Sequence, residues 1–285
     1  MNKIKNHLVI IDPQNDFCDL PDNYCPDRAG DKTRPALPVA GAHADMLRVA
    51  ALIRQAGAAL TDISVTLDSH QHLDIAHPTF WMGGDGSPVS PFTAIAASDV
   101  RAGTYVPKQA DALPRVLDYL DALEKAGRYT HMVWPVHCEI GTWGHNVHDD
   151  VRMAYNAWEE ARLGIVSKVV KGTNPWTEHY SAIKAEVPDP DDADTQLNAG
   201  FLARLKQADR IYITGEAASH CVKATTEHIV ENFGSAEVGK LLIVTDCMSA
   251  VPGFESQYDA FLDDMRGRGA RLATSAEVIA ELNAA

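Results

Sequence analysis

The chain has 285 residues, of which 46% are hydrophobic and 22% are charged, and this length and composition suit one large soluble domain. Its net charge of −14 argues against general binding to nucleic acid or to an anionic membrane. No apolar run has the length of a signal peptide or a membrane span, and the 5 cysteines show no disulfide framework. We therefore expect a cytoplasmic protein with a single domain over 1–285.

Strand-like and helix-like segments alternate along the chain. In the first half of the chain, the patterns predict a strand over 7–12, a helix over 44–56, a strand over 63–67, a helix over 110–126 and a strand over 131–135. A helix over 147–161, a strand from 165 to Lys171, a helix over 198–207, a strand over 211–214 and a helix from His220 follow. The last predicted elements are a strand over 240–246, a helix over 255–268, a strand over 271–273 and a helix over 275–282. Loop insertions at about 81–107 and 187–195 interrupt this alternation. It predicts an α/β three-layer sandwich, a mostly parallel, doubly wound, Rossmann-like sheet of about six strands with helices on both faces.

Reactive side chains end several of these strands. Asp12 ends the first strand, Asp68 and His70 follow the second, Lys171 ends the strand from 165, and Cys221 lies just past the strand over 211–214. Because ligands bind outside the carboxyl ends of parallel strands, we expect these residues to converge on one rim. Each of these residues could instead have a purely structural role, since an aspartate can cap a turn and a lone cysteine is often a small core residue.

A cysteine nucleophile is one function that this set of residues could serve. Cys221 would lie in the first turn of a helix, where the helix dipole lowers the pKa of a thiol. Asp12 could accept the thiol proton and return it to a departing amine, while Lys171 could hold the carboxylate in place. The chain has neither a dinucleotide-binding glycine pattern after the first strand nor a Gly-x-Ser-x-Gly turn.

A metal site is the second prediction. Asp68 and His70 are two residues apart, so in an extended chain their side chains point the same way. With a distant third ligand they would form a carboxylate–imidazole site. His72 has the same phase and His77 is near, so spacing alone does not choose among the histidines.

Five segments together resemble one known family. They are IIDPQNDF at 10–17, VTLDSH at 65–70, WPVHCEIGTWG at 134–144, VKG at 170–172, and the Gly-x-Ala-x-x-x-Cys turn at 215–221. In this order the segments are similar to the motifs of nicotinamidases, within the isochorismatase-like cysteine hydrolases. The most specific of the five is the Trp-Pro-x-His-Cys segment at 134–138.

The resemblance implies a set of site residues. It implies a catalytic triad of Asp12, Lys171 and Cys221, a cis peptide before Ala217, and an oxyanion hole formed by the N–H groups of Ala217 and Cys221. Asp68, His70 and His137 would hold a divalent transition metal (zinc, manganese or iron), with waters or His77 completing its shell. Phe17 and Trp134 would sandwich an aromatic ring of the substrate.

The implied reaction is cleavage of a small amide through a thioester, with nicotinamide giving nicotinate and ammonia. Glu216 departs from the family, where an aliphatic residue is usual, and the two insertions could reshape the pocket. A related hydrolase of another small amide or ureido compound, and a non-catalytic small-molecule-binding protein, therefore stay open. A thiol redox role is less favoured, because Cys221 has no resolving cysteine at Cys-x-x-Cys spacing. Homo-oligomerisation also stays open.

Overall fold

The computed structural model describes residues 4–284, and its centre is a sheet of six parallel strands. Their order across the sheet is β6-β5-β4-β1-β2-β3, the order of a doubly wound fold, so the predicted fold class is confirmed. The strands are β1 (Asn6–Ile11), β2 (Leu60–Asp68), β3 (Ser167–Lys171), β4 (Arg210–Gly215), β5 (Leu241–Val244) and β6 (Arg271–Ala273).

Helices cover the sheet, because parallel strands need crossover connections. They are α1 (Ala42–Ala56), α2 (Ala97–Arg101), α3 (Leu113–Ala126), α4 (Asp149–Arg162), α5 (Ala199–Lys206), α6 (Lys223–Asn232), α7 (Ser235–Val238), α8 (Glu255–Gly267) and α9 (Ser275–Ala284). Right-handed crossovers that leave the centre in opposite directions place their helices on opposite faces. Accordingly α1 packs against α4 and α9, whereas α6 packs against α8. None of the helices in residues 4–284 is long and apolar enough to cross a membrane.

Burial explains why the central strands are easy to recognise in the sequence. Every residue of β1 and β5 is buried, so both strands are nearly continuous apolar runs. The edge strand β3 instead alternates between half-buried and exposed residues before Lys171, which is buried. The sheet therefore places the ends of β1, β2 and β4 in the interior of the molecule.

The insertion at 81–107 is folded, which corrects the expectation of loop structure there. A strand over Trp81–Gly83 pairs with Tyr105–Pro107, and a strand over Thr93–Ala94 pairs with Met132–Val133. The strand predicted at 131–135 therefore exists but lies outside the central sheet. Together with α2 and α3, these strands form a lobe (residues 75–133) around a second cluster of buried apolar side chains. The insertion at 187–195 holds one 3₁₀ turn, Ala193–Thr195.

Candidate active site

Four side chains from the ends of β1, β2, β3 and β4 meet around the ammonium group of Lys171, which ends β3. Lys171 Nζ lies 2.9 Å from Asp12 Oδ2, 2.9 Å from Asp68 Oδ1 and 3.6 Å from Cys221 Sγ. Cys221 is the most exposed of the four, at 5%. The structure thus brings the predicted acid, cation and thiol together in a buried cluster.

Gly215 allows this convergence, because β4 passes very close to β1 at its end. Its φ is +117°, and a Cβ at this position would lie 2.0 Å from the carbonyl oxygen of Ile11. The next residue, Glu216, donates its N–H to the same carbonyl at 2.8 Å. A single π-helical turn, Ala218–Val222, follows and carries Cys221 to the end of β1.

Lys171 has more acceptors around it than it has protons. Besides Asp12, Asp68 and Cys221, it donates to the carbonyl oxygen of His179 at 3.0 Å, and an ammonium has only three N–H groups. Burial disfavours the charge, but the carboxylates of Asp12 and Asp68 outweigh it and hold the pKa of Lys171 well above its usual value. The side chain is therefore a fixed cation.

The two carboxylate oxygens of Asp12 have different neighbours, the Thr66 hydroxyl and the Lys171 ammonium. Its Oδ1 accepts a hydrogen bond from the Thr66 hydroxyl at 2.5 Å, and its own N–H donates to Thr66 Oγ1 at 3.0 Å. Oδ2 faces the Lys171 ammonium at 2.9 Å. Burial raises the pKa of Asp12, and Lys171 opposes that rise. A raised pKa makes Asp12 a better proton acceptor once it is ionised.

The expectation of a lowered thiol pKa at Cys221 is wrong. Burial raises the pKa of Cys221 well above its usual value, and the carboxylates of Asp12 and Asp68 add to this effect while Lys171 opposes it. The helix argument fails because the thiol is enclosed and two carboxylates lie close by. Cys221 is thus held as a neutral thiol that would need a base to become a nucleophile.

Three histidines gather on the other side of Asp68. His70 Nε2 lies 3.1 Å and His137 Nε2 lies 3.3 Å from Asp68 Oδ2, and ring nitrogens of His70, His77 and His137 lie within 4.8 Å of one another. His77, which spacing left open, belongs to this cluster. His72, which shared the phase of His70, is at the surface with its side chain 66% exposed.

The chemistry of this cluster suits a transition metal ion. His77 Nδ1 is buried without a hydrogen-bond partner among the described residues. Burial, together with His137 and His70, lowers the pKa of His77 to about 2, so its ring is neutral, as a ligand requires. Asp74 Oδ2 lies 3.0 Å from His70 Nδ1 and orients the imidazole ring, so that the other nitrogen, Nε2, faces the cluster. This arrangement is common among metal-binding histidines.

Aromatic side chains pack against His137 and against His220, which precedes Cys221 in the chain. Phe17 packs edge-on against His137, with ring centroids 5.5 Å apart, and Trp134 packs edge-on against His220 at 5.1 Å. The indole N–H of Trp134 donates to the Tyr180 hydroxyl at 3.1 Å. The peptide bond between Glu216 and Ala217 is cis, as the resemblance implied.

Sequence reasoning missed two supports of the site. The segment 177–183 is buried along its whole length without helix or strand, and it supplies His179 and Tyr180. It has no periodic pattern that could have revealed it. The Gln14 side chain holds Asp68 from both sides, accepting from its N–H at 2.8 Å and donating to its carbonyl at 2.7 Å. The only signal for Gln14 was its place in the segment 10–17.

Nicotinamidases and pyrazinamidases are among the known structures with the same fold. A nicotinamidase/pyrazinamidase of Acinetobacter baumanii is 18% identical, with a TM-score of 0.61 over 98% of this chain and 100% of that one. The yeast nicotinamidase bound to the inhibitor nicotinaldehyde is 17% identical, with a TM-score of 0.62 over 94% and 99%. A pyrazinamidase of Pyrococcus horikoshii in complex with zinc is 18% identical, with a TM-score of 0.51 over 95% and 99%. No protein-family model and no curated protein sequence matches the chain.

Proposed function

We propose that the protein is a cysteine amidohydrolase that cleaves a small amide through a thioester on Cys221, with nicotinamide as the leading substrate. The observation that carries this proposal is the Lys171 ammonium, in contact with Asp12, Asp68 and the Cys221 sulfur at once. A buried thiol with a buried base and a fixed cation is the arrangement that nucleophilic attack on a carbonyl requires. The fold shared with nicotinamidases and the five sequence segments support the same function.

In the first half of the reaction, Asp12 accepts the proton of Cys221 while the sulfur attacks the amide carbonyl. Lys171 stabilises the thiolate as it forms, and the N–H groups of Ala217 and Cys221 are the proposed donors to the oxyanion. Asp12 then gives the proton to the departing nitrogen, the C–N bond breaks, and ammonia leaves.

In the second half, Asp12 accepts a proton from water, and the hydroxide attacks the thioester carbonyl. The carbon–sulfur bond breaks, the carboxylic acid product leaves, and the proton returns from Asp12 to Cys221. A divalent transition metal held by Asp68, His70, His77 and His137 would supply Lewis acidity beside this centre.

The test is ammonia release from nicotinamide, measured against pyrazinamide, an aliphatic amide and a ureido compound. We expect Cys221→Ala to lose turnover while keeping the fold, with a thioester adduct detected by mass spectrometry only when Cys221 is present. Cys25→Ala is the matched control, because Cys25 is also buried and its thiol donates to the Leu20 carbonyl at 3.9 Å. Substantial turnover by Cys221→Ala would exclude the cysteine mechanism.

A second candidate is hydrolysis of a different small amide or ureido compound. It is favoured by Phe92, in the insertion at 81–107, whose ring is 55% exposed and packs edge-on against Trp134 at 5.9 Å. The insertion therefore reaches the aromatic lining proposed for the substrate. A panel in which nicotinamide is a poor substrate, and in which Phe92→Ala changes the order of preference, would support this candidate.

A further inference from the structure

We propose that Glu216 is a protonated carboxylic acid that donates a hydrogen bond to Asp45, and that this pair holds the turn bearing Cys221 in position. Glu216 is a positioning residue in this proposal, and it is the position at which the chain departs from the aliphatic residue usual in similar hydrolases. Its effect on turnover depends on the proposed function, whereas the protonation of Glu216 does not.

The first observation is that the Glu216 side chain is completely buried and that a hydrogen bond reaches one of its two carboxylate oxygens. It has no exposed surface, and its Oε2 accepts one hydrogen bond, from the N–H of Ser249 at 3.1 Å. Its Oε1 has no hydrogen-bond partner in the described part of the chain. An ionised carboxylate is an acceptor only, and leaving it buried and unpaired is costly, so a proton on Oε1 is the simpler state.

The second observation is that another buried carboxylate shares the same neighbour. Asp45 of α1 is 1% exposed and accepts a hydrogen bond from the hydroxyl of Ser249. It pairs with Arg48, which also donates to the carbonyl of Asp246. No cation forms an ion pair with Glu216 in the described part of the chain.

Burial and the charge of Asp45 together raise the pKa of Glu216 well above its usual value. Arg48, whose side chain is 41% exposed, is the cation beside the pair. The other ionisable groups around it in residues 4–284 are acids, thiols and a phenol, namely Cys18, Asp19, Asp246, Cys247 and Tyr258. The balance of charge therefore favours a protonated Glu216.

The third observation links Ser249 to the turn that carries the thiol. The Ser249 carbonyl accepts the N–H of Ala218 at 2.7 Å, and two residues on, the Val251 N–H donates to the Ser219 hydroxyl at 3.1 Å. Ala218 and Ser219 both belong to the π-helical turn of Cys221. A charge on Glu216 would repel Asp45 across Ser249 and loosen this attachment.

Infrared difference spectroscopy tests the protonation state without any turnover. We expect the spectrum of the wild type minus that of Glu216→Gln to show a carboxylic acid C=O band at neutral pH. Glu186→Gln is the matched control, since Glu186 is also a buried glutamate with a raised pKa but belongs to a separate cluster with Arg128. A wild-type minus Glu216→Gln spectrum without this band would overturn the proposal.

Stability as a function of pH is the second measurement. A carboxyl group whose pKa is higher in the folded protein than in the unfolded protein stabilises the fold at low pH. This stabilisation is lost as the pH rises from the pKa of the unfolded state through the pKa of the folded state. The wild type should therefore lose stability over that range relative to Glu216→Gln, whose side chain cannot ionise. Parallel pH–stability curves for the two proteins would contradict a protonated Glu216.

Activity tests the positioning role. We expect Glu216→Gln to keep kcat within about threefold, because the amide can accept from Ser249 and donate to Asp45, and Glu216→Leu to lower kcat about tenfold or more with little change in KM. A fully active Glu216→Leu enzyme would remove Glu216 from the positioning of the turn. If no amide is hydrolysed at all, the proposed function fails, and the infrared and stability measurements still decide on the protonation of Glu216.

Discussion

Replacing Lys171 with methionine removes the cation at the centre of the site while keeping a side chain of similar length. The ammonium lies 2.9 Å from a carboxylate oxygen of both Asp12 and Asp68. At an effective dielectric constant of about 20, each such pair has an attraction of about 6 kcal/mol before the cost of burial is subtracted. Removing one partner of a buried ion pair typically costs about 3–5 kcal/mol of stability, and we expect Lys171→Met to lose this much at neutral pH.

The loss should depend on pH in a defined direction. Without Lys171 the pKa of Asp12, already raised by burial, rises further, because the cation that opposes that rise is gone. The stability deficit of the variant should therefore be smallest in acid, where the carboxyl groups are protonated, and should grow as the pH rises. The acidic limb of the pH–rate profile should move to higher pH, with kcat lower by about a hundredfold or more.

Urea denaturation at several pH values and the pH–rate profile for ammonia release measure these effects. Lys168→Met is the matched control, since Lys168 belongs to the same strand but makes an exposed ion pair with Glu159, 3.3 Å long. Its effect on stability should stay within about 0.5 kcal/mol. A Lys171→Met protein with a stability, activity and pH profile close to those of Lys168→Met would refute this account of the site.

Three further outcomes follow from the geometry. His77→Ala should abolish the binding of about one transition metal ion per chain, measured by elemental analysis, whereas His72→Ala should leave it unchanged because His72 lies at the surface. Asp74→Asn should weaken metal affinity by about 10–100-fold in a chelator competition, since it holds His70 from behind; an unchanged affinity would exclude that role. Gly215→Ala should destabilise the fold by about 3 kcal/mol or more in urea, because its new Cβ would collide with the Ile11 carbonyl, and a smaller loss would show that the two strand ends can separate.

The central sheet could be predicted from the sequence because its strands are buried on both faces. β1, β4 and β5 are short apolar runs bounded by polar residues or glycine, and the helices between them have clear amphipathic spacing. Once the alternation is recognised, the residues at the strand ends follow, because parallel strands all end at one edge of the sheet. This reasoning predicts that Asp12 and Lys171 lie at one edge of the sheet.

The features that sequence reasoning missed depend on contacts between distant segments. The lobe is built from strands of two or three residues, which are too short to show a period of two. The segment 177–183 is buried but irregular, and His77 could be chosen over His72 only from its position in space. The pKa of Cys221 is set by burial and by two carboxylates from other strands, which the local helix argument does not include.

The lobe has its own apolar core, so it is a unit that could open separately from the central sheet. His77 lies within it and His137 follows it closely, whereas Asp68 and His70 follow β2 in the sheet. An ion bound by all four side chains would therefore link the lobe to the sheet. By mass action, the lobe would open less often as the ion concentration rises. The amide hydrogens of the lobe would then exchange more slowly in the metal-loaded protein, so their exchange rates would report metal occupancy at a distance from the thiol.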